Sequence, residues 1–301
     1  MRPLPNLALT PQPRASHAQA RLGDVGMAFY ELLEESEPGS PSMQARFRST
    51  EHTTGPWSAG LQHAGPPSAL LTRAVRRLGG LPPDPLPARL SFDILAPVPV
   101  ADLVVSARTL RAGRRVALAE ASLAPADSPD RPVMSLRAWL LRQAAPEELG
   151  GSLPDTAGMM ARAPAERGEP MPRPAGWHPG YLDAIDWRWV EGSLEAPGPA
   201  AVWTRLRGSL LAGEDPDPVE RLVAVADSAS GISAVASPRL LLFVNTDLTL
   251  HLTRAPVGDA IWMRARTTLD SIGVGRTNAE LGDPGGQVAS SAQTLFVAPR
   301  S

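Results

Sequence analysis

The sequence predicts an α+β chain of two fused units, each a long helix wrapped by a curved antiparallel sheet. Three observations predict it. The block LSFDILAPVPVADLVVSARTL (90–110) can be laid on LTLHLTRAPVGDAIWMRARTTL (248–269), 158 residues further on. A segment with helical periodicity precedes each block, and alternating segments broken by turns follow each one. The same elements in the same order read as one unit built twice.

In the first unit the helix is PPSALLTRAVRRL. Pro66-Pro67 suits a helix start, and Leu70, Leu71, Ala74, Val75 and Leu78 make one apolar stripe. The strand block follows, with turns at 111–115 and 125–131. Residues 143–176 are rich in Pro, Gly, Ala and Glu, lack periodicity, and read as a linker. The second unit repeats the order. DPVERLVAVADSASGISAVA opens with Asp217-Pro218 and reads as its helix, and turns fall at 270–275 and 282–286. Within the blocks Leu90 meets Leu248, Phe92 meets Leu250, and Ala107-Arg108-Thr109 meets Ala265-Arg266-Thr267. Two such units can join their sheets edge to edge, which removes two exposed edges. The expected boundaries are 1–26 for a disordered leader, 27–142 for the N-terminal unit, 143–176 for the linker and 177–301 for the C-terminal unit.

Composition excludes several classes of function. The chain has 301 residues and a net charge of −2, which gives no broad pull toward nucleic acid or anionic membrane. It has no cysteine, so disulfides, thiolate nucleophiles and Cys-ligated metals are ruled out. Its five histidines show no HxxxH or HExxH spacing, and neither a metal nor a cofactor is expected. No run is long and apolar enough to span a bilayer, residues 1–26 lack a signal-peptide core, and a cytoplasmic location is expected. One charge stands out. Asp227 is the only charged residue between Arg221 and Arg239, in the stretch LVAVADSASGISAVA.

Taken together, WSAGLQHAGPPSALLTRAV (57–75), FDILAPVPV, VADSASG, FVNTDLTLHL and VASSAQTLFV resemble the double hotdog acyl-CoA thioesterases, in particular the bacterial thioesterase-like branch. The resemblance implies a hotdog fold in each unit and hydrolysis of an acyl-CoA thioester without metal or organic cofactor. It also implies that an Asp on the second helix, a Thr on the next strand and a Gln on the last strand hold the attacking water. Those places are matched by Asp227, by the Asn245-Thr246 pair and by Gln293.

Residue chemistry supports this trio unevenly. In LLLFVNTDLTLHL, Thr246 shares parity with Leu242, Val244, Leu248, Leu250 and Leu252, so it faces the helix unless a bulge intervenes. Gln293 shares parity with Leu295 and Val297 and is expected to point inward. A carboxylate, a hydroxyl and an amide are costly when buried singly, and with a water they satisfy one another. Asp227 can equally be a buried residue paired with an Arg, Gln293 an inter-strand bond, and Thr246 an ordinary strand residue. The turn Gln62-His63-Ala64-Gly65 could supply backbone N–H groups to an oxyanion. Trp57 would line an acyl tunnel or simply pack, and Asn245 would contact substrate or, with Asp247, serve the joint between the units. His63 is an alternative base, because a histidine titrates near neutral pH. Arg73, Arg76 and Arg77 would meet CoA phosphates or form a solvated helix end.

The first unit lacks the trio: SLRAWLL offers Arg137 and Ala138 near the place of Gln293. The expected activity is therefore thioester hydrolysis at one site centred on Asp227, with acyl-CoA as substrate and self-association into a homo-oligomer. Two rivals stand beside it, a dehydratase that uses His63 and a non-catalytic acyl-CoA binding protein.

Overall fold

Alternation decides the strands. In VALAEASLAP, residues Ala117, Ala119, Ala121 and Leu123 are buried while the residues between them are not. That period of two places one apolar face on a helix and leaves the other outside. The computed structural model describes residues 27–149, 160–164, 168–170, 173–194, 196–215, 217–236 and 240–299. The proposed leader, 1–26, lies outside the described residues.

The N-terminal unit runs β1 (Ala28–Glu35), β2 (Ser42–Ser49), α1 (Gly65–Arg76), β3 (Pro85–Ile94), β4 (Asp102–Arg111), β5 (Val116–Pro125) and β6 (Met134–Arg142). The next segment contains a short strand, β7 (Glu169–Pro170). The C-terminal unit continues with α2 (Gly180–Asp183), β8 (Ile185–Glu191), β9 (Ala200–Leu206), β10 (Ser209–Leu211), α3 (Pro218–Ala226) and α4 (Ala229–Ile232). It ends with β11 (Leu241–Asn245), β12 (Asp247–Leu252), β13 (Ala260–Leu269), β14 (Val274–Asp283) and β15 (Gly286–Pro299). The described part of 143–176 is not featureless. It holds a 3₁₀ turn at Pro146–Leu149, β7 pairs with β8, and Ala161 exchanges two hydrogen bonds with Gln287, both 3.0 Å.

One sheet results, in the order β10-β1-β2-β4-β5-β6-β3-β12-β15-β14-β13-β9-β8-β7, with β11 also paired to β15. The units meet where β3 pairs antiparallel with β12. At the centre of that pair Ser91 faces Thr249, their hydroxyls 3.0 Å apart. The sequence offset carries Ser91 onto Thr249, so a pseudo-twofold axis passes between them. Leu90, Phe92, Leu248 and Leu250 on either side are fully buried, and one continuous apolar core spans both units.

The helices differ from the expectation in one respect. α1 is a continuous helix of 12 residues that packs against α3. Among its described residues the second unit has no such helix, because α3 stops at Ala226 and a four-residue turn of helix, α4, resumes at Ala229. Inserted side chains account for the break. The Tyr181 hydroxyl donates to the Ala224 carbonyl at 2.9 Å, and the amide of Gln293 donates to the Asp227 carbonyl at 3.1 Å. The Ser228 N–H bonds the nearer carbonyl of Val225 instead. Asp227 therefore sits at the C-terminal cap of α3 and not in mid-helix.

Candidate active site

Asp227 lies where the end of α3 meets the turn that starts α1, and it is 6% exposed. Its two carboxylate oxygens have different neighbours. Oδ1 accepts from Asn245 Nδ2 at 2.6 Å and from Gln293 Nε2 at 3.2 Å. Oδ2 lies 3.3 Å from His63 Nδ1. Two amide donors thus occupy Oδ1 and compensate charge on that side, which leaves Oδ2 on the side of His63. Gln293 is 1% exposed, and its own Oε1 accepts from the Ser230 N–H at 3.2 Å. Its amide thus ties Asp227 to α4.

Gln293 faces inward, as its parity with Leu295 and Val297 requires. Thr246 does not. It is exposed and falls in the gap between β11 and β12. Asn245 pairs with Leu295 and Thr249 with Ala292, so four steps on one strand oppose three on the other. That one extra residue is a β-bulge. It exchanges the faces: Leu248, Leu250 and Leu252 are buried on β12, whereas Leu242 and Val244 on β11 are exposed. Asn245 is thereby turned toward Asp227. The ladder gap is filled by Asp247, whose carboxylate accepts from the Thr294 N–H at 2.8 Å. Asp247 also faces Asp93 across the joint between the units.

His63 enters from the first unit. Its ring stacks on Tyr181 with centroids 3.7 Å apart and planes inclined by 5°. Nδ1 accepts from the Gly65 N–H at 3.1 Å, and Nε2 lies 3.5 Å from Ser228 Oγ. Burial holds its pKa below the ordinary histidine value against the opposing pull of Asp227, which favours the neutral ring. Gly65 permits the close approach: a Cβ there would stand 2.0 Å from the Ala224 carbonyl oxygen.

In the same turn the N–H groups of Gln62 and His63 go to Val98 and Thr53 carbonyls, and Pro66 and Pro67 have none. Ala64, half-buried at the cap of α1, carries the remaining N–H. Trp57 is 48% exposed, with its ring 4.6 Å from that of Trp177. The arginines at the end of α1 are held in ion pairs, with Arg73 buried and Arg76 and Arg77 half-buried. Arg73 bridges Glu35 and Glu214, Arg76 bridges Asp217, and Arg77 bridges Glu35. His251 is exposed on β12, away from the site.

Sequence reasoning missed Tyr181 and Ser228. The available signal was rarity: the chain has two tyrosines. Both are fully buried, and Tyr30 bonds Gln62 at 2.7 Å, beside His63.

Two family models match the chain, an acyl-CoA thioesterase N-terminal domain over residues 53–141 and an acyl-CoA thioesterase C-terminal domain over residues 165–297. The chain belongs to the double hotdog acyl-CoA thioesterase family. The first of these matches contains His63, and the second contains Asp227, Asn245 and Gln293.

Solved structures share the architecture. A conserved protein of unknown function with a hot dog fold from Alicyclobacillus acidocaldarius is 16% identical, with a TM-score of 0.65 over 89% of this chain and 97% of that one. The acyl-CoA thioesterase II TesB2 of Mycobacterium marinum is 15% identical, with a TM-score of 0.60 over 89% and 96%. The TesB protein of Mycobacterium avium subs paratuberculosis is 15% identical, with a TM-score of 0.59 over 89% and 96%. No curated protein matches the sequence. Among the described residues no helix is long and apolar enough to cross a membrane.

Proposed function

We propose that this thioesterase-family chain hydrolyses the thioester of an acyl-CoA in the cytoplasm, with Asp227 as general base toward water. The observation that carries the proposal is the divided carboxylate. Asn245 and Gln293 bind Oδ1, and Oδ2 faces the turn contributed by the other unit. A water at Oδ2 gives its proton to the carboxylate while its oxygen bonds to the thioester carbonyl carbon. The tetrahedral oxyanion then takes a hydrogen bond from the Ala64 N–H at the head of α1. The carbon–sulfur bond breaks, the acid is released, and the proton held by Asp227 passes to the CoA thiolate. In this reading Gln293 and Asn245 orient the base and not the water.

The proximity of His63 to Asp227 favours one other reading, a dehydratase with His63 as base. The Gly65 N–H already occupies Nδ1, which weighs against it. The test is release of free thiol from acyl-CoAs of several chain lengths, read with a thiol reagent. The chain has no cysteine and is silent in that assay. Asp227→Asn should lower turnover by about 10²-fold or more. Undiminished activity in that variant rules out the base assignment. Hydration of an enoyl-CoA that is lost in His63→Ala selects the dehydratase, and binding without turnover selects a non-catalytic acyl-CoA protein.

A further inference from the structure

His63 Nδ1 stands between two groups of fixed and opposite character, the Gly65 N–H at 3.1 Å and the Asp227 carboxylate oxygen Oδ2 at 3.3 Å, and the partners of Nε2 side with the first. A backbone N–H can only donate, so the bond from Gly65 makes Nδ1 an acceptor. A backbone carbonyl can only accept, so the Tyr181 hydroxyl hydrogen is directed to Ala224 at 2.9 Å. Tyr181 Oη then accepts from Ser228 Oγ at 2.8 Å, and Ser228 Oγ is left to accept a hydrogen from His63 Nε2. The chain of donors therefore runs from Nε2–H through Ser228 and Tyr181 to the Ala224 carbonyl. The Gly65 N–H and the Ala224 carbonyl cannot reverse their roles, and the two hydroxyls between them orient to suit.

This matters because of Asp227. Were the ring proton on Nδ1, it would be donated to Oδ2 at 3.3 Å and would quench the oxygen that has to take a proton from water. We infer that Ser228 and Tyr181 are positioning residues that lock His63 in the Nε2–H tautomer and so keep the ring proton away from Asp227. Among the described residues the ionisable groups against the ring are Asp227, from the end of α3, and Tyr181, from α2. Burial of His63 and of the Tyr181 hydroxyl favours the neutral form of both, which the relay needs. The inference rests on the assignment of Asp227 as base.

The test reads the tautomer directly. The full chain is labelled with ¹⁵N-histidine, and His63 is identified as the signal lost in His63→Gln. The native protein should show a bare Nδ1 and a protonated Nε2 at neutral pH. Tyr181→Phe frees the Ser228 hydroxyl to turn toward Nε2, and Ser228→Ala removes the acceptor. Each removes one oxygen and adds no bulk. Each should move the His63 signal toward the Nδ1–H tautomer and lower kcat for acyl-CoA hydrolysis by about tenfold, with KM little changed. A native Nδ1–H tautomer overturns the inference. So does an unshifted tautomer in both variants, or a shifted tautomer with unchanged kcat. The spectrum is independent of turnover, so a native protein with the expected tautomer but no thiol release would indict the thioesterase reading instead.

Discussion

At the scale of the residue, the divided surroundings of Asp227 decide what neighbouring substitutions do. Asn245 gives a charge-assisted hydrogen bond to Oδ1, worth about 1.5–3 kcal/mol. If that bond holds the base in its working orientation, Asn245→Ala should reduce kcat by about ten- to a hundredfold. Thr246→Ala should leave both kcat and thermal midpoint close to native, since that side chain is exposed and points away. Thiol-release kinetics on the pair check this, and a larger loss in Thr246→Ala would reverse the assignment. The inward turn of Gln293 was legible, because β15 keeps its alternation through that position. The turn of Asn245 was not. Parity assumes an uninterrupted ladder, and the bulge at Thr246 is specified by Asp247 standing in for a backbone acceptor. That carboxylate–backbone contact is a tertiary fact that leaves no periodic trace in the sequence.

At the scale of the element, the apolar stripe of α1 and the turns between strands were readable, because each depends on residues close in sequence. The end of α3 was not, since Tyr181 and Gln293 act on it from 43 and 66 residues away. What sets the distance between the two halves of the candidate site is the contact of α1 with α3. Gly65 lets the backbones touch there, and a Cβ would fall 2.0 Å from a carbonyl that is itself fixed by Tyr181. Neither partner can yield cheaply. Gly65→Ala should therefore cost about 2–3 kcal/mol by overpacking and also displace His63 from Asp227. Denaturant titration should show the lost stability. Activity measured well below the new thermal midpoint should fall as well. Native activity in the folded variant would mean that the spacing of the two helices is not what aligns the site.

At the scale of the whole molecule, the repeat offset read from the sequence is a statement of symmetry, and the site is where that symmetry fails. The pseudo-twofold through Ser91 and Thr249 carries β12 onto β3 and β15 onto β6. Ala292 faces Thr249 and Arg137 faces Ser91, so one step along each strand places Ala138 where the other unit has Gln293. By the same relation Pro87 stands where the other unit has Asn245. The C-terminal end of α1 carries Arg73, Arg76 and Arg77 where that of α3 carries Asp227. These cations are closed by Glu35, Glu214 and Asp217, and the Arg73 side chain is only 4% exposed. The pseudo-equivalent location is thus an ion-pair cluster that joins the units, in which the carboxylates are paired with arginines and not with amide donors. If Asp227 is the base, the chain should hold one reactive centre. Calorimetric titration of Asp227→Asn with a slowly turned-over acyl-CoA should give a single equivalent bound per chain. Two equivalents of similar affinity would show that the first unit keeps a working pocket despite its arginines, and the asymmetry would then describe the chemistry alone and not the binding.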